Sequence, residues 1–179
     1  SGQWNTVQYS IAFLNDTIAL SCGRYNLVAL PKKIMAQFSL SAIPEYIIDT
    51  TSIIVPSTEF YEWQVQGDKS KQPFHITLPE QQLFGFAALW EHWEKGNEQI
   101  DSCTIITTSA CSKIAAIHNR MPVILKPENY QAWLDTTLSK EEMLEILKDD
   151  SMYRDIQTIP IRSFVNNPRN NDPMCIKPL

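Results

Sequence analysis

Residues 53–65 read IIVPSTEFYEWQV, and residues 73–90 read PFHITLPEQQLFGFAALW. These two stretches decide the fold. Both are rich in β-branched and aromatic residues, and each is bounded by turn chemistry at Gly67-Asp68, Pro79-Glu80 or Gly96-Asn97. With a further apolar run at Cys103–Thr108, they predict strands over Ile53–Pro56, Phe60–Gln66, Pro73–Leu78, Leu83–Trp90 and Cys103–Thr108. Four or five strands in series imply an antiparallel sheet. Within 60–66, alternation sets Glu62 on the face opposite its neighbours Tyr61 and Trp63.

Working outward, helical signals lie on either side. Pro31 opens a short predicted helix carrying Ile34 and Phe38 one turn apart. A helical turn over Ser112–Ile117 leads to His118, and a short helix follows Pro127 toward Trp133. After Leu138 the pattern is clearest: Ser139 and Glu142 form a capping box, Leu138 and Met143 a hydrophobic staple, and Met143, Leu144, Ile146 and Leu147 a buried stripe. A last strand is expected over Ile156–Ile161, ahead of an Asn- and Pro-rich tail. Ahead of residue 22, Val7, Tyr9, Ile11 and Phe13 alternate as a half-buried strand does.

A chain of 179 residues can bury one proper core, and its 44% hydrophobic and 20% charged fractions are those of a globular domain. No apolar run approaches the length of a membrane span, so no membrane partner is expected. Cys22, Cys103, Cys111 and Cys175 lack metal-ligand spacing, and no secretory signal is evident. The expectation is a cytoplasmic or nuclear monomer without metal or cofactor. The formal net charge of −5 argues against a broad phosphate-binding surface. Much of that acidity is concentrated at Glu141, Glu142, Glu145, Asp149, Asp150 and Asp155, which leaves room for a local basic groove.

Three short stretches carry candidate chemistry. Ser21-Cys22-Gly23-Arg24-Tyr25 offers a thiol beside a permissive glycine, Phe60-Tyr61-Glu62-Trp63 a carboxylate between aromatics, and Ile117-His118-Asn119-Arg120-Met121-Pro122 an imidazole. A buried structural cysteine and a surface glutamate are the ordinary readings of Cys22 and Glu62 taken alone. Burial of Glu62 would raise its pKa and suit it to move protons. His75 and His92 sit at strand and turn positions without an evident chemical partner, and are read as structural.

Together and in this order, these stretches resemble the SOS-response-associated peptidase family. The likeness extends through Val55-Pro56, Phe86–Glu91, Cys103–Thr108, Ile117–Leu125 and Val165–Asn170. It implies an α+β fold: a single domain with a curved antiparallel sheet or barrel-like β core and peripheral helices. It implies a sensor of abasic sites in single-stranded DNA, acting in the DNA damage or SOS response. There an N-terminal cysteine condenses with the open-chain aldehyde to give a thiazolidine DNA-protein crosslink. Carried over residue by residue, the catalytic positions are Cys22, Glu62 and His118, while Arg24, Thr107 and Arg120 would meet DNA, with Arg162 and Arg169 adding to that surface.

This sequence departs from the family pattern twice. Between residues of about 44 and 53 it lacks the family's usual segment, which carries an Asn-Ala-Arg motif. Cys22 also follows Ser21, so its nitrogen is acylated, and thiazolidine chemistry requires a free amine. Residues 1–21 are therefore read as an N-terminal extension or pro-segment and 22–179 as the family domain. The alternatives are a cysteine autoprotease that releases residues 1–21, with peptidase or lyase-like chemistry, and a degenerate paralogue that binds DNA or a protein without covalent chemistry.

Overall fold

The computed structural model describes residues 10–14, 17–22, 25–26, 51–81, 83–95 and 97–179. The helix expected at Pro31–Phe38 and the positions of Val7, Tyr9 and Arg24 lie outside the described residues. Three N-terminal strands, β1 (Ser10–Leu14), β2 (Thr17–Cys22) and β3 (Tyr25–Asn26), form an antiparallel meander in which Leu14 pairs with Thr17 and Cys22 with Tyr25.

The central strand of the domain is β7 (Phe84–Lys95). One edge pairs with β4 (Thr51–Ser57), in a register that sets Ile54 opposite Ala87 and Pro56 opposite Gly85. The other edge takes β11 (Ile124–Leu125) at Gly85-Phe86 and β8 (Glu98–Ile105) from Ala88 onward. Between those two partners the Ala87 backbone donates to Val123 and accepts from Ile106, at 3.0 and 2.9 Å, so the ladder stays satisfied where the partner changes. A second antiparallel sheet has the order β12-β6-β5, from β5 (Glu59–Val65), β6 (Lys71–Thr77) and β12 (Gln157–Pro160). A two-stranded ladder joins β9 (Thr107–Ser109) to β10 (Arg120–Pro122). The fold is α+β with antiparallel sheets and few helices, and none of the sheets of the described residues closes into a barrel.

Alternation along β7 explains the layering. Phe84, Phe86 and Ala88 face one core, packed with Val55, Phe60, Ile76, Ile105, Ile114 and Met121 between the two sheets. Ala87 and Leu89 face another, packed with Ile106, Val123, Leu125, Trp133, Met143 and Leu147 beneath the helices. Burial on both faces is why residues 84–89 carry no charge. The helices are α1 (Tyr130–Trp133), entered through a 3-10 turn at Pro127–Asn129, and α2 (Lys140–Lys148). In α2 the capping box forms as expected: the Glu142 N–H donates to Ser139 Oγ, and Glu142 Oε2 accepts from the Ser139 N–H at 2.9 Å. No helix among the described residues is long and apolar enough to cross a membrane.

Gly85 marks a close approach between layers. A Cβ there would lie 2.5 Å from Ile54 Cγ2 and 3.2 Å from Tyr130 Oη. Gly85→Ala is therefore expected to destabilise by about 1–3 kcal/mol through overpacking. A denaturant midpoint unchanged from the parent protein would show that Ile54 can swing clear.

Candidate functional site

The inner face of β5 runs from core to rim through Phe60, Glu62 and Gln64. Phe60 is 1% exposed in the inter-sheet core, the Glu62 side chain is 8% exposed, and Gln64 is half-buried. Glu62 is thus a carboxylate carried at the edge of an apolar layer. Burial pushes its pKa from the ordinary carboxyl value of 4.5 to about 7, against the opposing pull of His118 and a backbone hydrogen bond at Trp63.

His118 reaches this carboxylate from the loop between β9 and β10. Its Nδ1 lies 4.0 Å from Glu62 Oε2, and its ring is 42% exposed. The loop is held by local bonds: Ala115 N–H donates to the Cys111 carbonyl and His118 N–H to the Ile114 carbonyl, at 2.9 and 3.0 Å. Ile114, fully buried, anchors it in the core. Nδ1 also lies 2.9 Å from the Arg120 carbonyl oxygen and 3.2 Å from the Arg120 nitrogen. One backbone unit therefore offers the ring an acceptor and a donor, so the imidazole is held whether or not Nδ1 carries a proton. A half-exposed imidazole beside a buried carboxyl that titrates near neutrality is able to exchange protons with a bound molecule.

Arg120 and Thr107 meet across the β9-β10 ladder. The guanidinium donates to Thr107 Oγ1 through Nε and Nη2, at 3.1 and 2.7 Å, and to the Thr107 carbonyl at 2.6 Å. Among the described residues no carboxylate forms an ion pair with Arg120. Its charge is fixed in direction without being neutralised, which suits an anion.

Cys22 ends β2, opposite Tyr25. Arg162 and Arg169 are exposed and flank a 3-10 turn at Ser163–Asn166, which is tied to β5 by the 2.8 Å bond from Trp63 Nε1 to Asn166 Oδ1. His75 has a partner that the sequence did not suggest: its Nε2 lies 2.7 Å from Glu59 Oε2, with both side chains nearly buried. Tyr61 sits directly across the ladder from His75, and Glu59 is on that same face of β5, away from Glu62. The signal available in the sequence was a charged residue at the alternation position of a buried aromatic. Among the described residues no group of three or more His, Cys, Asp or Glu side chains is arranged to hold a metal.

Residues 41–168 match the family described as SOS response associated peptidase (SRAP). The chain is 39% identical over 126 residues to the abasic site processing protein YoqW of Bacillus subtilis, covering 69% of this chain and 56% of that protein. It is 31% identical over 148 residues to the abasic site processing protein HMCES of Gallus gallus, covering 70% and 43%. The chain spans about half the length of the curated relatives it matches. A crystal structure of a protein from Bacteroides thetaiotaomicron superposes with a TM-score of 0.72 at 28% identity, covering 83% of this chain and 68% of that one. A phage-related protein from Bordetella bronchiseptica gives 0.60 at 28% identity, covering 73% and 65%. The motifs that suggested a family and the fold that carries them agree: this chain belongs to the SOS response associated peptidase family.

Proposed function

We propose that this protein captures abasic sites in single-stranded DNA covalently through Cys22, with Glu62 and His118 moving the protons. The observation that carries this reading is the buried Glu62 carboxyl, raised to a pKa of about 7, with His118 4.0 Å away. The names of the relatives, abasic site processing proteins, supply the substrate class. The Cys22 amine adds to the sugar aldehyde and water leaves, giving an imine; the thiolate then adds to the imine carbon and closes a five-membered thiazolidine. A carboxyl near its midpoint at neutral pH serves either as donor to the departing hydroxyl or as acceptor from the amine. Arg120, oriented by Thr107, binds a phosphate beside the lesion, and Arg24, Arg162 and Arg169 extend the path of the strand.

The condensation needs a free Cys22 nitrogen, so residues 1–21 act as a pro-segment and the Ser21–Cys22 bond is hydrolysed first. The chemistry of that cleavage matches the family's peptidase label. A second reading has its own support: β2 runs without interruption through Ser21 and Cys22, with Ser21 paired to both Ser10 and Asn26. In a chain that stays uncut, the site binds DNA through charge alone.

Intact mass measurement, before and after incubation with single-stranded DNA holding one abasic site, separates these. Covalent capture requires a mass that begins at Cys22 and an adduct absent in Cys22→Ala. An uncut chain with no adduct, and with salt-sensitive binding that Arg120→Ala weakens, would establish the non-covalent reading.

A further inference from the structure

Gln64 lies two residues beyond Glu62 on β5, on the same inner face and about 7 Å further along the strand. Its Nε2 donates to the carbonyl of Ala116 at 2.7 Å, across 52 residues of sequence. The amide cannot be turned round, because the Ala116 carbonyl only accepts; its other end, Oε1, accepts from Gln66 Nε2 at 2.9 Å. Ala116 lies in the loop that delivers His118, two residues ahead of it. A second pin holds the far side of the same loop: Lys113 Nζ donates to the carbonyls of Arg154 and Ile156, at 2.5 and 2.9 Å. The strand that carries Glu62 is thus joined by a side chain to the loop that carries His118.

We propose that Gln64 is a positioning residue that sets the separation of Glu62 and His118 by clamping the His118 loop to β5. This rests on the reading of Glu62 and His118 as the proton-moving pair. The Glu62–His118 contact is long for an ion pair and has no bridging bond of its own, so its geometry depends on what holds the two elements together. Within the loop, the backbone bonds of Ile114 and Cys111 fix its internal shape, and the buried Ile114 side chain seats its first half in the core that Phe60 of β5 shares. Gln64 supplies the hydrogen bond from β5 to the end of the loop nearest His118, and it is neither of the reacting groups.

The test removes the donor while keeping the shape. Gln64→Met is half-buried at a strand rim and leaves the core intact. Its adduct formation with abasic single-stranded DNA is expected to fall by about tenfold or more, because small misplacements of a proton-transfer pair are costly. Gln64→Lys, which retains a donor of sufficient reach, is expected to recover most of that rate. An arm without DNA reads the contact directly. The Glu62 carboxyl is titrated by carbon-13 NMR with and without His118→Asn, in the parent and in Gln64→Met. In the parent, His118→Asn raises the Glu62 midpoint by removing the nearby imidazole; in Gln64→Met that rise shrinks to less than half, because the loop has moved away. An undiminished rise overturns the proposal, as does an unchanged adduct rate in Gln64→Met. If the parent protein forms no adduct at all, covalent capture falls, and the NMR cycle still decides whether Gln64 sets the contact.

Discussion

Glu62→Gln is expected to make the protein more stable and less active. In the folded state the carboxyl titrates near 7 instead of 4.5, because burial disfavours its charged form. Between those values the native state holds more protons than the unfolded state, so stability falls as pH rises. A shift of about 2.5 units corresponds to about 3 kcal/mol, fully present below the unfolded value and lost above the folded one. Glutamine carries no charge to desolvate. The variant and its parent should therefore unfold alike near pH 4, and the variant should be more stable by up to about 3 kcal/mol at pH 8. Urea unfolding at the two pH values checks this, and equal stabilities at pH 8 would mean that Glu62 is solvated in the folded state. Adduct formation should fall by about 10²–10⁴, the contribution usual for a positioned acid or base. Under the proposed function, the carboxyl assigned to proton transfer is thus held at a cost to the fold.

Trp133→Ala is expected to cause the largest loss of stability, about 3–5 kcal/mol. The indole is fully buried beneath the helical layer with Val123, Leu125, Met143 and Leu147. Its Nε1–H donates to the Ile53 carbonyl at 2.9 Å, joining α1 to β4. Trp133→Phe keeps most of the volume and loses the donor, so its cost should be near 1–3 kcal/mol, that of an unpaired carbonyl. Guanidinium unfolding of both variants distinguishes packing from hydrogen bonding. Equal costs would mean that the hydrogen bond, not the volume, fastens α1 to the sheet. Against a total stability of about 5–15 kcal/mol, the alanine variant is close to the margin.

The parts of this fold that could be read from the sequence are those set by neighbours in the chain. The Ser139–Glu142 capping box, the β7-β8 ribbon with Lys95 paired to Glu98, and the placement of Glu62 away from Tyr61 and Trp63 each depend on a few consecutive residues. Strand lengths were read less well: β7 and β8 extend as a ribbon to Lys95 and Glu98, beyond the expected Trp90 and Cys103, because the charged Glu91, Glu94 and Lys95 hid the pairing. What the sequence could not supply is register between distant segments. The Glu59–His75 pair depends on how β5 sits against β6, the Arg120–Thr107 clasp on the β9-β10 ladder, and the Gln64–Ala116 bond on docking a loop onto a sheet. None of these leaves a periodic trace. The family likeness singled out Glu62 and His118 as candidates, and burial explains why that particular carboxyl differs from its exposed neighbours.

The two-sided burial of β7 has a consequence during folding. Residues 84–90, FGFAALW, contain no charge, no proline and a single glycine, and they favour extended backbone. In the native state β4 covers one edge of this segment, and β11 and β8 share the other. In an unfolded or partly folded chain the same segment is a template for cross-β stacking with other copies. The β7-β8 ribbon is a local pairing, whereas the Gly85-Phe86 end of that edge waits on the distant residues 124–125. Aggregation of destabilised variants should therefore start at this strand, and the amount of soluble protein will track how quickly residues 124–125 return to seal it.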